Sequence, residues 1–230
     1  AMYPQGGEKV LIYHVTGEKV PEGKLPLDVG AVVLNCTTIS SIARYCRTGL
    51  PLVKKCVTVD GSAVKNPMNV LVPIGMRMKD VFEATGGFKE EPKMVLYGGP
   101  MMGIAVPDLE QPILKNTNAI LAFGEAEATP PEPTACIKCG KCIAHCPLSL
   151  MPCEMETAYK KGNIERLMHL KVNLCMECGC CSFICPAHRP LVQTNKLAKA
   201  QVMAYKNALK AKAEAEKAKL EAEKQKEAAK

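Results

Sequence analysis

Apolar and polar positions change period along this chain, and the changes divide it. Ile39, Ile42 and Ala43 fall at helical spacing behind Asn35-Cys36-Thr37-Thr38. A helix is therefore predicted there, with Asn35, Thr37 or Thr38 either capping it or leaving its N-terminus as a seat for phosphate. Upstream, Gly6-Gly7 predicts a tight turn, or a close approach of backbone to a ligand, ahead of Val10-Leu11-Ile12. The run Val32-Val33-Leu34 predicts a short buried strand. From about residue 50 the pattern becomes that of short strands. Cys56-Val57-Thr58-Val59 alternates and meets the turn signal Asp60-Gly61; Val70-Leu71-Val72-Pro73, Met94-Val95-Leu96-Tyr97 and Ala119-Ile120-Leu121-Ala122-Phe123 follow. Among them Met78, Val81, Phe82 and Thr85 recur at i, i+3, i+4 and i+7, and Gly86-Gly87 stops the helix they define. One helix against a curled sheet is a β-grasp-like unit, in which Met76, Met78, Met101 and Met102 read as core or loop packing.

Residues 125–134, with Pro130, Pro131 and Pro133, read as a linker that holds neither helix nor central strand. Beyond it Tyr159, Ile164, Leu167, Met168 and Leu170 predict helices broken at Gly162-Asn163. From Lys199 the chain mixes Ala, Lys and Glu with few large apolar residues, the pattern of a solvated helix or of one that docks on an acidic surface or partner. The expected class is α+β, in the order 1–49, 50–124, linker 125–134, 135–200, and a charged helical tail 201–230.

A chain of 230 residues with 47% hydrophobic content has room for one to three small domains with cores. No run approaches the roughly eighteen apolar residues of a membrane span, so no transmembrane segment is predicted. The formal charge of +7 includes eight lysines and five glutamates in residues 201–230, which leaves the rest mildly basic and no nucleic acid partner expected. The start carries neither the charged nor the apolar region of a secretion signal, so the 13 cysteines are not read as disulfides and a cytoplasmic location is expected.

Eight of those cysteines form two copies of one spacing, C-x2-C-x2-C-x3-C-P: Cys136, Cys139, Cys142, Cys146 before Pro147, and Cys175, Cys178, Cys181, Cys185 before Pro186. In bacterial-type ferredoxins three thiolates of such a run hold one [4Fe–4S] cluster and the fourth serves the other. The spacing assigns Cys136, Cys139, Cys142 and Cys185 to one cluster, and Cys175, Cys178, Cys181 and Cys146 to the second. Structural zinc is the competing reading, but zinc sites take their ligands as two pairs, not as four cysteines and a proline in one short run. Cys153 and Cys180 stand off the motif spacing and read as buried, inert thiols. His145, His169 and His188 read as structural, since each cluster already has four thiolates.

Taken together, Tyr3-Pro4-Gln5-Gly6-Gly7-Glu8-Lys9, the Asn35-Cys36-Thr37-Thr38 turn, Gly98-Gly99-Pro100-Met101-Met102-Gly103 and the two cysteine runs resemble the C subunits of the Rnf electron-transport complex. The resemblance implies the end of a flavin-binding α/β domain similar to the flavin subunit of respiratory complex I, an SLBB-like β-grasp domain and an α-helical dicluster ferredoxin domain. It implies FMN and NADH as further cofactors, with Tyr3, Gly6, Glu8, Asn35 and Thr38 lining their site. It also implies a peripheral position on the cytoplasmic side of the membrane, other subunits of a membrane complex as partners, and electron relay in an ion-translocating ferredoxin:NAD oxidoreductase. The family's glycine-rich flavin loop lies ahead of the segment matching Tyr3, so the start reads as that of a fragment, expected not to oxidise NADH alone. The alternatives are a corrinoid-type or other reductase serving a soluble partner, and a zinc-binding adaptor.

Overall fold

The computed structural model describes residues 2–228, with side chains to residue 217. The chain forms two compact units, residues 1–132 and 133–230. Unit one opens with α1 (Glu8–Thr16), capped by Gly7 and ended by Gly17 in the left-handed region at φ 78°. A 3-10 turn at Pro26–Val29 packs on α1, and α2 (Cys36–Thr48) follows. Asn35 takes the capping role: its Oδ1 accepts from Thr37 N–H at 2.9 Å. The strand expected at Val32-Val33-Leu34 is not formed. That stretch is irregular, and Val32 is 70% exposed. Three apolar residues do not make a strand unless a neighbour takes their backbone hydrogen bonds, and no strand pairs with them among the described residues.

The core of unit one is a five-stranded sheet, order β2-β1-β5-β3-β4, built from β1 (Lys54–Asp60), β2 (Met68–Pro73), β3 (Met94–Tyr97), β4 (Ile104–Ala105) and β5 (Ala119–Phe123). β1 runs parallel to β5 and every other pair is antiparallel. On β1 the alternation turns Val57 and Val59 inward, where they meet Met78, Val81 and Phe82 of α3 (Met78–Ala84) with Ile120, Ala122 and Val95. Thr85, expected to close the helical pattern, instead caps it, its buried hydroxyl donating to the carbonyls of Val81 and Phe82. Lys55 is buried as well; its Nζ donates to Lys115 O at 2.6 Å, and loss of solvent lowers its pKa.

Gly61 locks this sheet. At φ 118° it sits in a region L side chains rarely adopt, and a Cβ there would stand 2.1 Å from Ala122 O, in the strand that β1 must pair with. Gly61→Ala is expected to cost at least about 2 kcal/mol, from overpacking and backbone strain together. Urea unfolding of the full chain reports it, and a midpoint unchanged from wild type would refute this account of the turn.

Residues 125–134 are not wholly extended: α4 (Glu125–Ala128) makes one turn before the prolines. The prolines restrict themselves and the residues before them, and Glu125-Ala126-Glu127-Ala128 lies ahead of that zone. Unit two is helical, with α5 (Lys141–Ala144), α6 (Pro152–Lys160), α7 (Ile164–His169), α8 (Cys180–Phe183) and α9 (Leu191–Ala228), and no strand among its described residues. Met155, Leu167, Val172, Ala198 and Val202 form its main core. α9 thus begins eight residues before Lys199, at Pro190-Leu191, and its first turns bury Leu191, Val192, Asn195, Ala198 and Val202. Only beyond them does it become the exposed, charged helix expected of the tail; the side chains of 218–230 lie outside the described residues. Among the described residues no helix is long and apolar enough to cross a membrane.

Candidate metal centres

The two cysteine runs repeat a backbone as well as a spacing. Lys138 (φ 55°) and Glu177 (φ 60°), each the residue before the second cysteine, are left-handed, and so are Gly140 and Gly179, each just after that cysteine. Ser149 (φ 53°) and His188 (φ 48°), three residues past each fourth cysteine, complete the correspondence. Left-handed residues reverse the chain within a few atoms, so each loop folds back and the third cysteine enters a one-turn helix, α5 or α8. α5 and α8 pack on one another, with Cys142, Cys181, Leu191 and Val192 buried between the elements.

Two recesses result. Cys136, Cys139 and Cys142 share the walls of a cavity of about 330 Å³ with Cys185 from the other run. Cys175, Cys178 and Cys181 share a much tighter one, about 20 Å³, with Cys146. Among the described residues no three His, Cys, Asp or Glu side chains converge as for one metal ion; the cysteines stand around a volume instead. That donor set fits a polynuclear cluster, in which each thiolate binds a different iron. The first recess offers room for one, whereas the second is close-packed by Leu148, Leu150 and Val192 and would have to widen. Cys136 and Cys139 are exposed, while Cys178 and Cys181 are buried.

Burial sets the charge state of these thiols. It pushes Cys181 up to about 12 and Cys142, next to the Cys153 thiol, up to about 11; Cys175 and Cys178 are raised too, again chiefly by burial. A group that binds them as thiolates must bring its own positive charge, as iron does. Several N–H groups already serve sulfur: Leu150 N–H donates to Cys146 Sγ at 3.3 Å and Asn195 Nδ2 to Cys175 Sγ at 3.8 Å, and the backbone of Glu177 hydrogen-bonds Cys175 as well. Cys153 lines the first recess and Cys180 the second, each half-buried. Two of the histidines are engaged locally: His145 Nδ1 is 3.0 Å from Lys141 O, and His169 Nδ1 is 3.3 Å from the Arg166 guanidinium.

Sequence reading missed the polar residues that tie the two runs together. Arg189 lines the first recess, donates to both carboxylate oxygens of buried Glu156 at 2.6 Å, and donates through Nη1 to Thr134 O at 2.9 Å. Thr134 N–H donates in turn to Ala187 O, so the chain entering the first run is fastened to the chain leaving the second. Glu156 and Asn195 could have been found by counting, since each lies ten residues past the fourth cysteine of its run. In unit one, Tyr3, Gly6 and Glu8 lie at or just ahead of the start of α1, and Asn35 and Thr38 at the start of α2. A Cβ on Gly6 would meet nothing within 4 Å. Neither packing nor a positive φ asks for glycine there.

Two family models match this chain, both within unit one. Residues 1–44 match the model of the Nuo51 FMN-binding domain and residues 56–105 that of the SLBB domain. The chain is similar to the C subunit of the proton-translocating ferredoxin:NAD(+) oxidoreductase complex of Clostridium ljungdahlii, 45% identical over 150 residues, 65% of this chain and 33% of the relative. It is similar also to the C subunit of the Na(+)-translocating complex of Acetobacterium woodii, 41% identical over 202 residues, 88% of this chain and 46% of the relative. With the C subunit of the ion-translocating oxidoreductase complex of Rhodobacter capsulatus the identity is 37% over 200 residues, 87% and 38% of the two chains. The matches thus span a third to somewhat under half of those relatives' length.

Proposed function

Over the part of their length that it spans, the chain belongs to the C subunits of ion-translocating ferredoxin:NAD oxidoreductase complexes, and on that premise we propose that it carries the electron relay of such a subunit. Two [4Fe–4S] clusters, when bound, supply one-electron storage at each site. Cys136, Cys139, Cys142 and Cys185 would hold one, and Cys175, Cys178, Cys181 and Cys146 the other. The observation that carries the reading is that each recess joins three thiols of one run to the fourth of the other. Crossed ligation would make the two sites one folding unit, because each cluster would take its fourth thiolate from the other run. Apolar walls, buried Leu150 and Val192 with partly buried Leu148 at the second recess, keep water from the sulfurs.

The flavin-domain match over residues 1–44 supports FMN and NADH as the other end of the relay. Tyr3, Gly6 and Glu8 at one helix start, with Asn35 and Thr38 at another, would form one wall of that site. A glycine-rich loop of the kind that normally cradles phosphates would complete it, and the clusters are expected to accept electrons from a chemical reductant. Residues 50–124 form the SLBB-like domain, 125–134 the linker, 135–200 the cluster domain, and 201–230 the tail. Other subunits of a membrane complex are the partners, with this chain peripheral on the cytoplasmic side.

Anaerobic reconstitution followed by iron and sulfide counting tests this, with about eight of each per chain expected for two cubanes. Zinc without sulfide would overturn it. Serine at Cys153 or Cys180 is expected to leave the iron count nearly unchanged, four motif thiols being present at each site without them. Loss of one full cluster in Cys180→Ser would mean that Cys180 displaces its neighbour Cys181 as ligand.

A further inference from the structure

The internal repeat makes the two sites comparable position by position, and one position breaks the equivalence. Ten residues past the fourth cysteine stand Glu156 on α6 and Asn195 on α9; four residues further, both helices carry a lysine, Lys160 and Lys199. Glu156 is committed to its cations, Arg189 at 2.6 Å and Lys160 at 2.9 Å. Asn195 has no such partner. It is 1% exposed, lines the second recess and aims Nδ2 at Cys175 Sγ, while among the described residues its Oδ1 meets no hydrogen-bond partner. Lys199 serves the same cysteine's backbone, donating to Cys175 O at 3.0 Å and pairing with Glu177 at 2.5 Å.

A buried amide that leaves its oxygen unsatisfied costs free energy that an apolar residue of the same size would not. The N–H facing sulfur is what the position gains in exchange. A thiolate only accepts hydrogen bonds, so the amide nitrogen is the side that serves it. We infer that Asn195 is a positioning residue for electron transfer that, acting through Cys175, raises the reduction potential of the site formed by Cys146, Cys175, Cys178 and Cys181. One-electron reduction adds a negative charge that spreads onto the cysteine sulfurs, and a donor on sulfur stabilises the reduced form more than the oxidised one. At the first site the equivalent carboxylate is turned away into an ion pair, so the two halves of a repeated fold are set differently. This inference rests on the two-cluster reading above.

The test is an anaerobic dithionite titration of the reconstituted full chain, each electron gained by a cluster being balanced by oxidation of dithionite, read by electron paramagnetic resonance with iron and sulfide counted in the same samples. Asn195→Leu removes the donor and the orphaned oxygen together; Asn195→Asp keeps the shape and puts an oxygen where the N–H was, and decides the matter should the leucine variant fail to fold. In each, the reduced-to-oxidised ratio of one couple at the wild-type midpoint is expected to fall about tenfold, a shift of about 59 mV downward for a one-electron couple. The other couple should stay in place, and the shifted signal should be the one lost on replacing Cys175. Full iron content with both couples at wild-type potential overturns the inference, as does an equal shift of both, which would mark a change in the fold at large. Absence of iron and sulfide from the wild-type chain would instead remove the two-cluster reading on which it stands, so the two failures are told apart by the metal count.

Discussion

Cys146→Ala is expected to abolish the cluster served by Cys175, Cys178 and Cys181 and to leave the other, so that bound iron falls by about half. The variant loses a ligand from the first run, yet the site it damages belongs mainly to the second. Cys146 shares its recess with the second run's first three cysteines, and its Sγ accepts from Leu150 N–H, which holds it facing that way. Cys185→Ala should do the converse, since Cys185 stands with Cys136, Cys139 and Cys142. Spectroscopy of four variants decides between crossed and local ligation. The signal missing in Cys146→Ala should match that missing in Cys175→Ala, and the signal missing in Cys185→Ala that missing in Cys136→Ala. The opposite pairing would mean that each run closes its own cluster.

The reason the cysteines could be picked out in the sequence is that a cluster takes its ligands from one tight loop, and a tight loop fixes spacing. The same holds for β1 and α3, where period two and period 3.6 each report one buried face, and both elements formed where the pattern placed them. Val32-Val33-Leu34 misled because apolar content says nothing of a pairing partner. The start of α9 was missed for a related reason: its first turns are buried among the metal loops, and their sequence, Leu191-Val192-Gln193-Thr194-Asn195, looks neither charged nor plainly amphipathic. Contacts that cross from one run to the other leave no local trace at all. Arg189 and Glu156 are 33 residues apart, and only the fold brings them together.

That ion pair carries the second large effect. Glu156 has a side chain 4% exposed and Arg189 one 16% exposed, and two parallel N–H···O bonds join them. Replacing Arg189 by methionine strands the carboxylate with Lys160, a partner that is itself 59% exposed. Breaking a buried pair from one side typically costs about 3–5 kcal/mol, whereas replacing both partners by apolar residues is often close to neutral. Arg189→Met should therefore lower the denaturation midpoint of unit two sharply, and adding Glu156→Leu should recover most of the loss. The pH dependence has a definite sign. Burial pushes the Glu156 carboxyl up, but the bonds from Arg189 and Lys160 outweigh it and hold the carboxyl below its ordinary value. A depressed carboxylate contributes stability that is present above the unfolded value of about 4.3 and is lost as pH falls through the lower folded value. Without Arg189 the push of burial is met by Lys160 alone, so the deficit of the single variant should be greatest at neutral pH and narrow as Glu156 takes up a proton. Urea titrations of wild type, single and double variants at pH 7 and pH 5 measure it. A deficit of the same size at both values, or a double variant no better than the single, would mean that Arg189 supports the fold through Thr134 and its packing rather than through the charge it neutralises.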